Sequence, residues 1–114
     1  MNLVHGEIAN GVFNGEGIRV DGLASTLNGA VTLGFRAEDA TLATEDAQIE
    51  APIYSVELLG EATMISVRVA GELVSIKVGK DYRAEIGDVV RINVAPDVCH
   101  LFDRGNGQRI SADR

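Results

Sequence analysis

Apolar and polar residues alternate along much of this chain, which is the pattern of β-strands with one buried face. The clearest case is ISVRVAGELVSIKVG, residues 65–79, where the alternation continues on both sides of Ala70 and Gly71. A β-branched run, VVRINVA, begins at Val89. The pattern predicts consecutive antiparallel strands, with a turn at Ala70-Gly71 and a second turn at Gly87-Asp88.

The first half of the chain also shows short strand candidates separated by turn residues. The dipeptides Asn10-Gly11 and Asn14-Gly15 are strong turn formers between apolar residues, and they predict a hairpin whose register stays open. AQIEAPIYSVELLG, residues 47–60, is a long strand candidate in which Pro52 implies an edge or a bend. RAEDATLA suits one helical turn, and no segment supports a long amphipathic helix. Many short strands and 13 glycines favour an all-β barrel or sandwich.

The length and charge of the chain limit the classes of protein to which it can belong. A chain of 114 residues supports one compact domain spanning residues 1–114. No apolar run approaches the ~20 residues that span a bilayer, and the N-terminus lacks the features of a signal peptide, so we expect a soluble, unexported chain. The net charge of −7 is concentrated in residues 1–75, which carry 3 basic and 11 acidic side chains. Acidity and 4% aromatic residues argue against nucleic-acid binding.

The segment PDVCHLFD, residues 96–103, contains the single cysteine of the chain beside a histidine. Consecutive residues of a strand face opposite sides, so Cys99 and His100 are badly placed to act as nucleophile and base. Zinc needs three or four ligands, and the two histidines, His5 and His100, lie far apart in sequence. We therefore predict neither catalysis nor metal binding there. Gly79-Lys80 also lacks the Ser or Thr of a phosphate-binding loop.

Four segments together resemble a known family. VTLGFRAEDATLA, SVELLGEATMISVRVAGELVSIKV, EIGDVVRINVAPDVCHLFD and GNGQRI are similar, in order and spacing, to the transport-associated OB (TOBE) regulatory region. That region forms the C-terminus of ATP-binding subunits of sugar and glycerol-phosphate type ABC importers. The opening MNLVHGEI resembles the segment after the nucleotide-binding domain of that family. The resemblance implies an OB-like antiparallel barrel with short helical turns, as a fragment of a longer subunit.

The family motifs carry over to particular positions. Eight positions are regulatory or interface candidates on this basis: Gly34, Arg36, Glu38, Gly60, Thr63, His100, Phe102 and Asp103. The chain departs from the family at Ala37, where a proline is usual, and at Ala62, where a glutamate is expected. From the residues alone, Leu101 and Phe102 are natural core fillers, and the polar residues beside them suit hydrogen bonds to backbone or loops.

The resemblance implies a non-catalytic regulatory and dimerisation domain that supports ATP-driven uptake of sugars or related solutes. ATP and magnesium would bind in the missing domain, so no cofactor is expected here. Expected partners are the subunit's own nucleotide-binding domain, a second copy of the subunit, the membrane permease subunits, and a regulatory protein or small effector. The expected location is cytoplasmic, peripheral to the inner membrane. The alternative is a barrel that binds an oxyanion or sugar, with four cationic candidates: Lys77, Lys80, Arg83 and Arg91.

Overall fold

The computed structural model describes residues 1–23, 25, 27–43 and 46–103, together with the backbone of residues 109–110. Within this part, the chain forms short strands and two single-turn 3-10 helices, Ala37–Asp39 and Pro96–Val98. The strands are β1 (Asn2–Ala9), β2 (Val12–Gly15), β3 (Ile18–Val20), β4 (Gly29–Phe35), β5 (Ala40–Leu42), β6 (Ile49–Leu58), β7 (Ala62–Val69), β8 (Glu72–Gly79), β9 (Val89–Val94), β10 (His100–Asp103) and β11 (Arg109–Ile110). No helix in the described residues is long and apolar enough to cross a bilayer.

All of the strand pairs are antiparallel, and the sheet curls into an OB-like barrel, which confirms the all-β fold expected from the sequence. Along the sheet the strands follow the order β11-β10-β4-β1-β2-β3-β6-β7-β8. Strand β9 branches from β6, and β5 pairs with β9. Because β6 pairs with β3, β7 and β9, it connects the two parts of the barrel.

Two of the predicted turns are confirmed by the backbone. Ala70 and Gly71 have φ angles of 52° and 79° and join β7 to β8, which are paired along their full lengths. Asn10-Gly11 makes the same kind of turn between β1 and β2. The prediction of a turn at Asn14-Gly15 is wrong, because the chain reverses two residues further on. Gly15 still pairs with Ile18, so the reversal occurs at residues 16–17.

Pro52 lies within β6 and is not on an edge strand, since β6 has neighbours on both sides. On one side β6 pairs with β3 at Ile49 and with β7 only from Ile53 onward, after which a bulge precedes Ser55. The amide of Ile53 donates to Asp88 on the opposite side. Because successive residues of a strand donate to opposite sides, the N–H that proline lacks would point into the gap between β3 and β7. The proline therefore costs no ladder hydrogen bond.

Aliphatic and aromatic side chains from nearly every strand fill the barrel interior. Their inward positions alternate with exposed positions along each strand, as the sequence pattern indicates. The largest fully buried side chains are Phe13, Phe35, Ile8, Leu33, Ile49, Ile65, Ile76 and Ile92. Burial of this apolar surface, at roughly 25 cal/mol per Å², supplies the main driving force for folding.

The barrel closes where β8, the last strand of the sheet order, meets β1. The Asn2 side chain bridges this seam with two hydrogen bonds. Its Nδ2 donates to the Ser75 carbonyl at 2.7 Å, and the Ser75 N–H donates to its Oδ1 at 2.8 Å. Asn2 is only 8% exposed. A side-chain amide therefore pairs with the free edge of β8 as a neighbouring strand would.

We expect Asn2→Ala to lower the free energy of unfolding by about 1–3 kcal/mol, because it leaves the Ser75 N–H and carbonyl without their partner. Urea denaturation measures the change. The matched control is Asn14→Ala, since Asn14 is an exposed strand residue and its replacement should change stability by less than about 0.5 kcal/mol. Equal effects of the two substitutions would show that the amide bridge does not hold the seam.

Candidate functional site

Three of the family-motif residues meet on the outer face of β1, β4 and β10. In the ladders, Gly34 lies opposite Leu3 on one side and opposite His100 on the other. Phe102 follows two residues after His100 and therefore shares its face. We call the surface formed by Met1, Leu3, Gly34, His100 and Phe102 the Phe102 patch. Two of its apolar side chains, those of Met1 and Leu3, are 61% and 47% exposed.

The Phe102 ring lies against the bare backbone of Gly34. A methyl group at Gly34 would come within 2.8 Å of the ring atom Cε2 of Phe102 and within 2.9 Å of the Met1 sulfur. Glycine is thus needed here for a close approach and not for its conformational freedom. The contact joins two candidate residues that lie far apart in the sequence.

Phe102 is not the core residue that the sequence predicted, because its side chain lies on the outer face and is partly exposed. Leu101 is 5% exposed and pairs with Leu33 inside the barrel, which confirms its predicted core position. Adjacent residues of a strand point in opposite directions, so only one of the two can face inward.

Both histidine side chains lie on this outer face, where His5 is opposite Thr32 and His100 is opposite Gly34. Nδ1 of His5 is 2.8 Å from Oγ1 of Thr32. Nδ1 of His100 is buried and has no hydrogen-bond partner among the described residues. The described part of the chain brings no three His, Cys, Asp or Glu side chains together as a metal site. Asp103 ends β10 with an exposed side chain.

Arg36 and Glu38 follow β4 at one end of the Phe102 patch. Arg36 is exposed and extended, and its carbonyl accepts the Asp39 N–H at 3.0 Å, which closes the first 3-10 helix. The turn therefore forms although position 37 is an alanine and not the proline that is usual in the family. This helix packs against β8, so it covers part of the seam that Asn2 bridges. Glu38 is exposed on the helix surface.

The remaining motif residues, Gly60 and Thr63, lie at the β6–β7 turn and away from β4 and β10 in the sheet order. Gly60 has a φ of 85°, a conformation that glycine adopts without strain, and the Leu59 N–H donates to the Ala62 carbonyl across the turn. Thr63 is 1% exposed, and its hydroxyl has no hydrogen-bond partner in the described structure. The motif residues thus form two separate groups.

The four cationic candidates do not converge on one site. Lys80 and Arg83 line an open groove between the loop after β8 and the end of β6, where Asp81 and Glu85 alternate with them. Arg91 lies on β9 and forms an ion pair with Glu50 at 2.7 Å. Lys77 is exposed in the middle of β8 and is not part of the groove lining.

Cys99 is partly buried beside the second 3-10 helix. Its Sγ lies 3.5 Å from the Ala95 carbonyl, and its backbone is extended with φ −85° and ψ 142°. Burial, with the negative charge of Asp97 as a smaller cause, raises the pKa of the Cys99 thiol to about 11. A neutral thiol at physiological pH is a poor nucleophile and a poor metal ligand.

Comparison with known proteins identifies similar chains. A family model described as the TOBE domain matches residues 33–102. An sn-glycerol-3-phosphate import ATP-binding protein of Jannaschia sp. is 32% identical over 96% of this chain and 32% of its own length. The protein of the same name from Ruegeria sp. is 32% identical over 97% of this chain and 32% of its own length. The chain therefore spans about a third of the length of these relatives.

The contact between Gly34 and Phe102 predicts a non-additive pair of substitutions. Gly34→Ala should destabilise the fold by about 1–3 kcal/mol, because the methyl group displaces the ring. Phe102→Ala should cost less than the roughly 3–5 kcal/mol typical of a fully buried phenylalanine. The double variant should be more stable than the sum of the two by at least about 0.5 kcal/mol, since the smaller residue makes room for the methyl group.

Chemical denaturation of the three variants completes this cycle. Gly79→Ala serves as the control, because no atom lies within 4 Å of a methyl group at that position. Strict additivity would mean that the ring does not rest on Gly34.

The raised pKa of Cys99 predicts slow alkylation. At pH 8, iodoacetamide should modify the folded chain about 100-fold more slowly than a thiol of pKa 9.0, because the thiolate fraction is that much smaller. The rate should continue to increase up to about pH 11. Mass spectrometry over a pH series measures it, with the urea-unfolded chain as the reference. Asp97→Asn should shift the profile to lower pH, and a folded profile with a midpoint near 9 would contradict the assignment.

Proposed function

This chain belongs to the TOBE domain family, and from that premise we propose that it is a non-catalytic regulatory and dimerisation domain of an ABC importer ATP-binding subunit. In this role it supports ATP-driven uptake of sugars or related solutes. The match to residues 33–102 and the names of the relatives, which are ATP-binding proteins for sn-glycerol-3-phosphate import, support the proposal. The relatives are about three times as long as the match, which leaves room for a nucleotide-binding domain.

The observation that carries the proposal is the place of the family-motif residues in the fold. Gly34 accommodates a ring from the next strand, Gly60 makes a turn, and Thr63 faces inward. These residues shape the barrel and its outer surfaces, and they do not surround a common cleft. We infer from this arrangement that the domain acts through the surfaces that it presents to other proteins.

The proposal assigns the chemistry and the partners to the rest of the subunit. ATP and magnesium bind outside this chain, to the subunit's own nucleotide-binding domain. That domain, a second copy of the subunit and the permease subunits are the proposed partners, and a regulatory protein or small effector acts through the exposed faces. The location that follows is the cytoplasmic side of the inner membrane.

Charge and connectivity determine how strongly two copies associate. The chain carries a net charge of −7, which opposes association of isolated copies. In a subunit, the nucleotide-binding domains would hold the two copies close together and so raise their effective concentration. We therefore expect weak association of the isolated chain and firm association in the assembled subunit.

The alternative, an oxyanion or sugar site built on the cationic residues, has less support. The groove beside Lys80 and Arg83 also carries Asp81 and Glu85, so its charges balance. A bound anion would meet both attraction and repulsion there.

A chimeric subunit tests the proposed function. The third of the Jannaschia relative that matches this chain is replaced by residues 1–114, and the matched control is the same relative with that third deleted. We expect the chimera to hydrolyse ATP and form dimers as the intact relative does, and the deletion to lose dimer stability. The isolated chain should release no phosphate above a buffer blank.

Two results would contradict the proposal. One is phosphate release by the isolated chain that persists after repurification. The other is a chimera whose dimerisation is no better than that of the deletion, although its ATPase domain is folded.

A further inference from the structure

The groove between the end of β6 and the loop after β8 lies at one mouth of the barrel. Two β6 residues line it, Val56 and Leu58. They belong to the inner face of the sheet, because they lie opposite Ile65 and Thr63, which are buried in the barrel. Leu58 is nevertheless 78% exposed, so it offers apolar surface to a ligand. We call this groove, formed by the two β6 residues and the loop after β8, the mouth groove.

The size and position of the mouth groove suit a small molecule. Its volume is about 610 Å³, within the range of roughly 300–1,000 Å³ that is typical of small-molecule sites. Such sites often lie in the mouths of β-barrels.

The loop after β8 is held in place at both ends and in its middle. The Tyr82 N–H donates to the Gly79 carbonyl at 3.0 Å, and the Asp88 N–H donates to the Glu85 carbonyl at 3.1 Å. Between these two turns, Ala84 packs against the core. The wall of the mouth groove is therefore largely preformed, which lowers the entropy cost of binding a ligand.

The same loop presents two positive and two negative side chains to the mouth groove. They alternate in sign along the loop and are all exposed: Lys80, Asp81, Arg83 and Glu85. None of the four forms an ion pair with another described residue. A ligand with a single charge would be attracted by two of these side chains and repelled by the other two. A ligand that carries both charges can place each of them beside its opposite.

We propose that the mouth groove binds a small zwitterion with an apolar side chain, of the class of the free apolar α-amino acids. The apolar side chain of the ligand covers Leu58 and Val56. Its carboxylate meets the basic side chains of the loop, and its ammonium group meets the acidic ones. The regulatory meaning of this site rests on the proposed function, in which it assigns a chemical class to the small effector, whereas binding itself needs no other subunit.

A ligand series tests whether both charges and the apolar side chain are needed. L-leucine is the probe, and each control lacks one feature: isoamylamine lacks the carboxylate, 4-methylpentanoate lacks the ammonium group, and glycine lacks the apolar side chain. Backbone amide chemical shifts of the isolated chain, followed during each titration, measure the affinity and locate the site. We expect leucine to bind with a dissociation constant of about 1 mM. Each control should bind at least about threefold more weakly, because exposed charge pairs contribute little each.

Substitutions in the isolated chain test the residues. Arg83→Gln, Glu85→Gln and Leu58→Ser should each weaken leucine binding by about threefold or more. The matched controls are Lys77→Gln and Leu73→Ser, which remove an exposed charge and an exposed leucine from β8 outside the groove lining. The controls should leave the affinity unchanged. All five variants should keep the unfolding midpoint of the parent, because the replaced side chains are exposed.

Four outcomes overturn the proposal. They are the absence of saturable shifts up to the solubility limit of leucine, a control ligand with one charge that binds as tightly as leucine, shifts that map to another part of the barrel, and equal effects of the variants and their controls. Tighter binding of sulfate than of leucine in the mouth groove would likewise replace the zwitterion by an oxyanion.

The chimeric subunit separates this inference from the proposed function. If the chimera dimerises and hydrolyses ATP normally while the isolated chain binds no leucine, the site is refuted and the function stands. If the isolated chain binds leucine but the chimera does not dimerise, the function is refuted and the binding site stands.

Discussion

A hydrogen-bonded amide from the second residue of the chain completes the barrel. A curled sheet leaves the edge of its last strand with unpaired N–H and carbonyl groups, and these are costly when buried and prone to pairing with other chains when exposed. Asn2 satisfies both groups of Ser75 without continuing the ladder, and β5 and the first 3-10 helix pack against the same strand. Because the seam is closed in this way, the interior is separated from the outer face where β8 meets β1.

This separation determines where function can reside. The interior is filled by aliphatic and aromatic side chains, so binding surfaces must be built from outward-facing positions and loops. Two such surfaces emerge on different parts of the sheet. The Phe102 patch lies on β1, β4 and β10, and a second surface with the exposed side chains of Tyr54, Leu73 and Val89 lies on β6–β9. A domain with two faces can contact two partners at once, which suits the regulatory role proposed for this TOBE domain.

Local sequence predicted the elements well because their causes are local. The turn at Ala70-Gly71 and the strand starting at Val89 depend on a few neighbouring residues. The side of the sheet that Phe102 faces depends instead on the register of β10 against β4, which no local pattern specifies. The pairing of Asn2 with Ser75 spans 73 positions and was likewise beyond a single sequence. The family resemblance identified Gly34 as a candidate, but only the structure shows that Phe102 occupies the space above it.

Hydrogen exchange at the Ser75 amide is the most direct test of the closure. This N–H points away from β7 to the Asn2 side chain, so its protection depends on the seam and not on the β7–β8 ladder. The account predicts that it exchanges as slowly as the amides of β8 that take part in the ladder, since opening the seam would require the barrel to open. Exchange of the Ser75 amide at the rate of an exposed strand edge, with the rest of β8 still protected, would contradict the account.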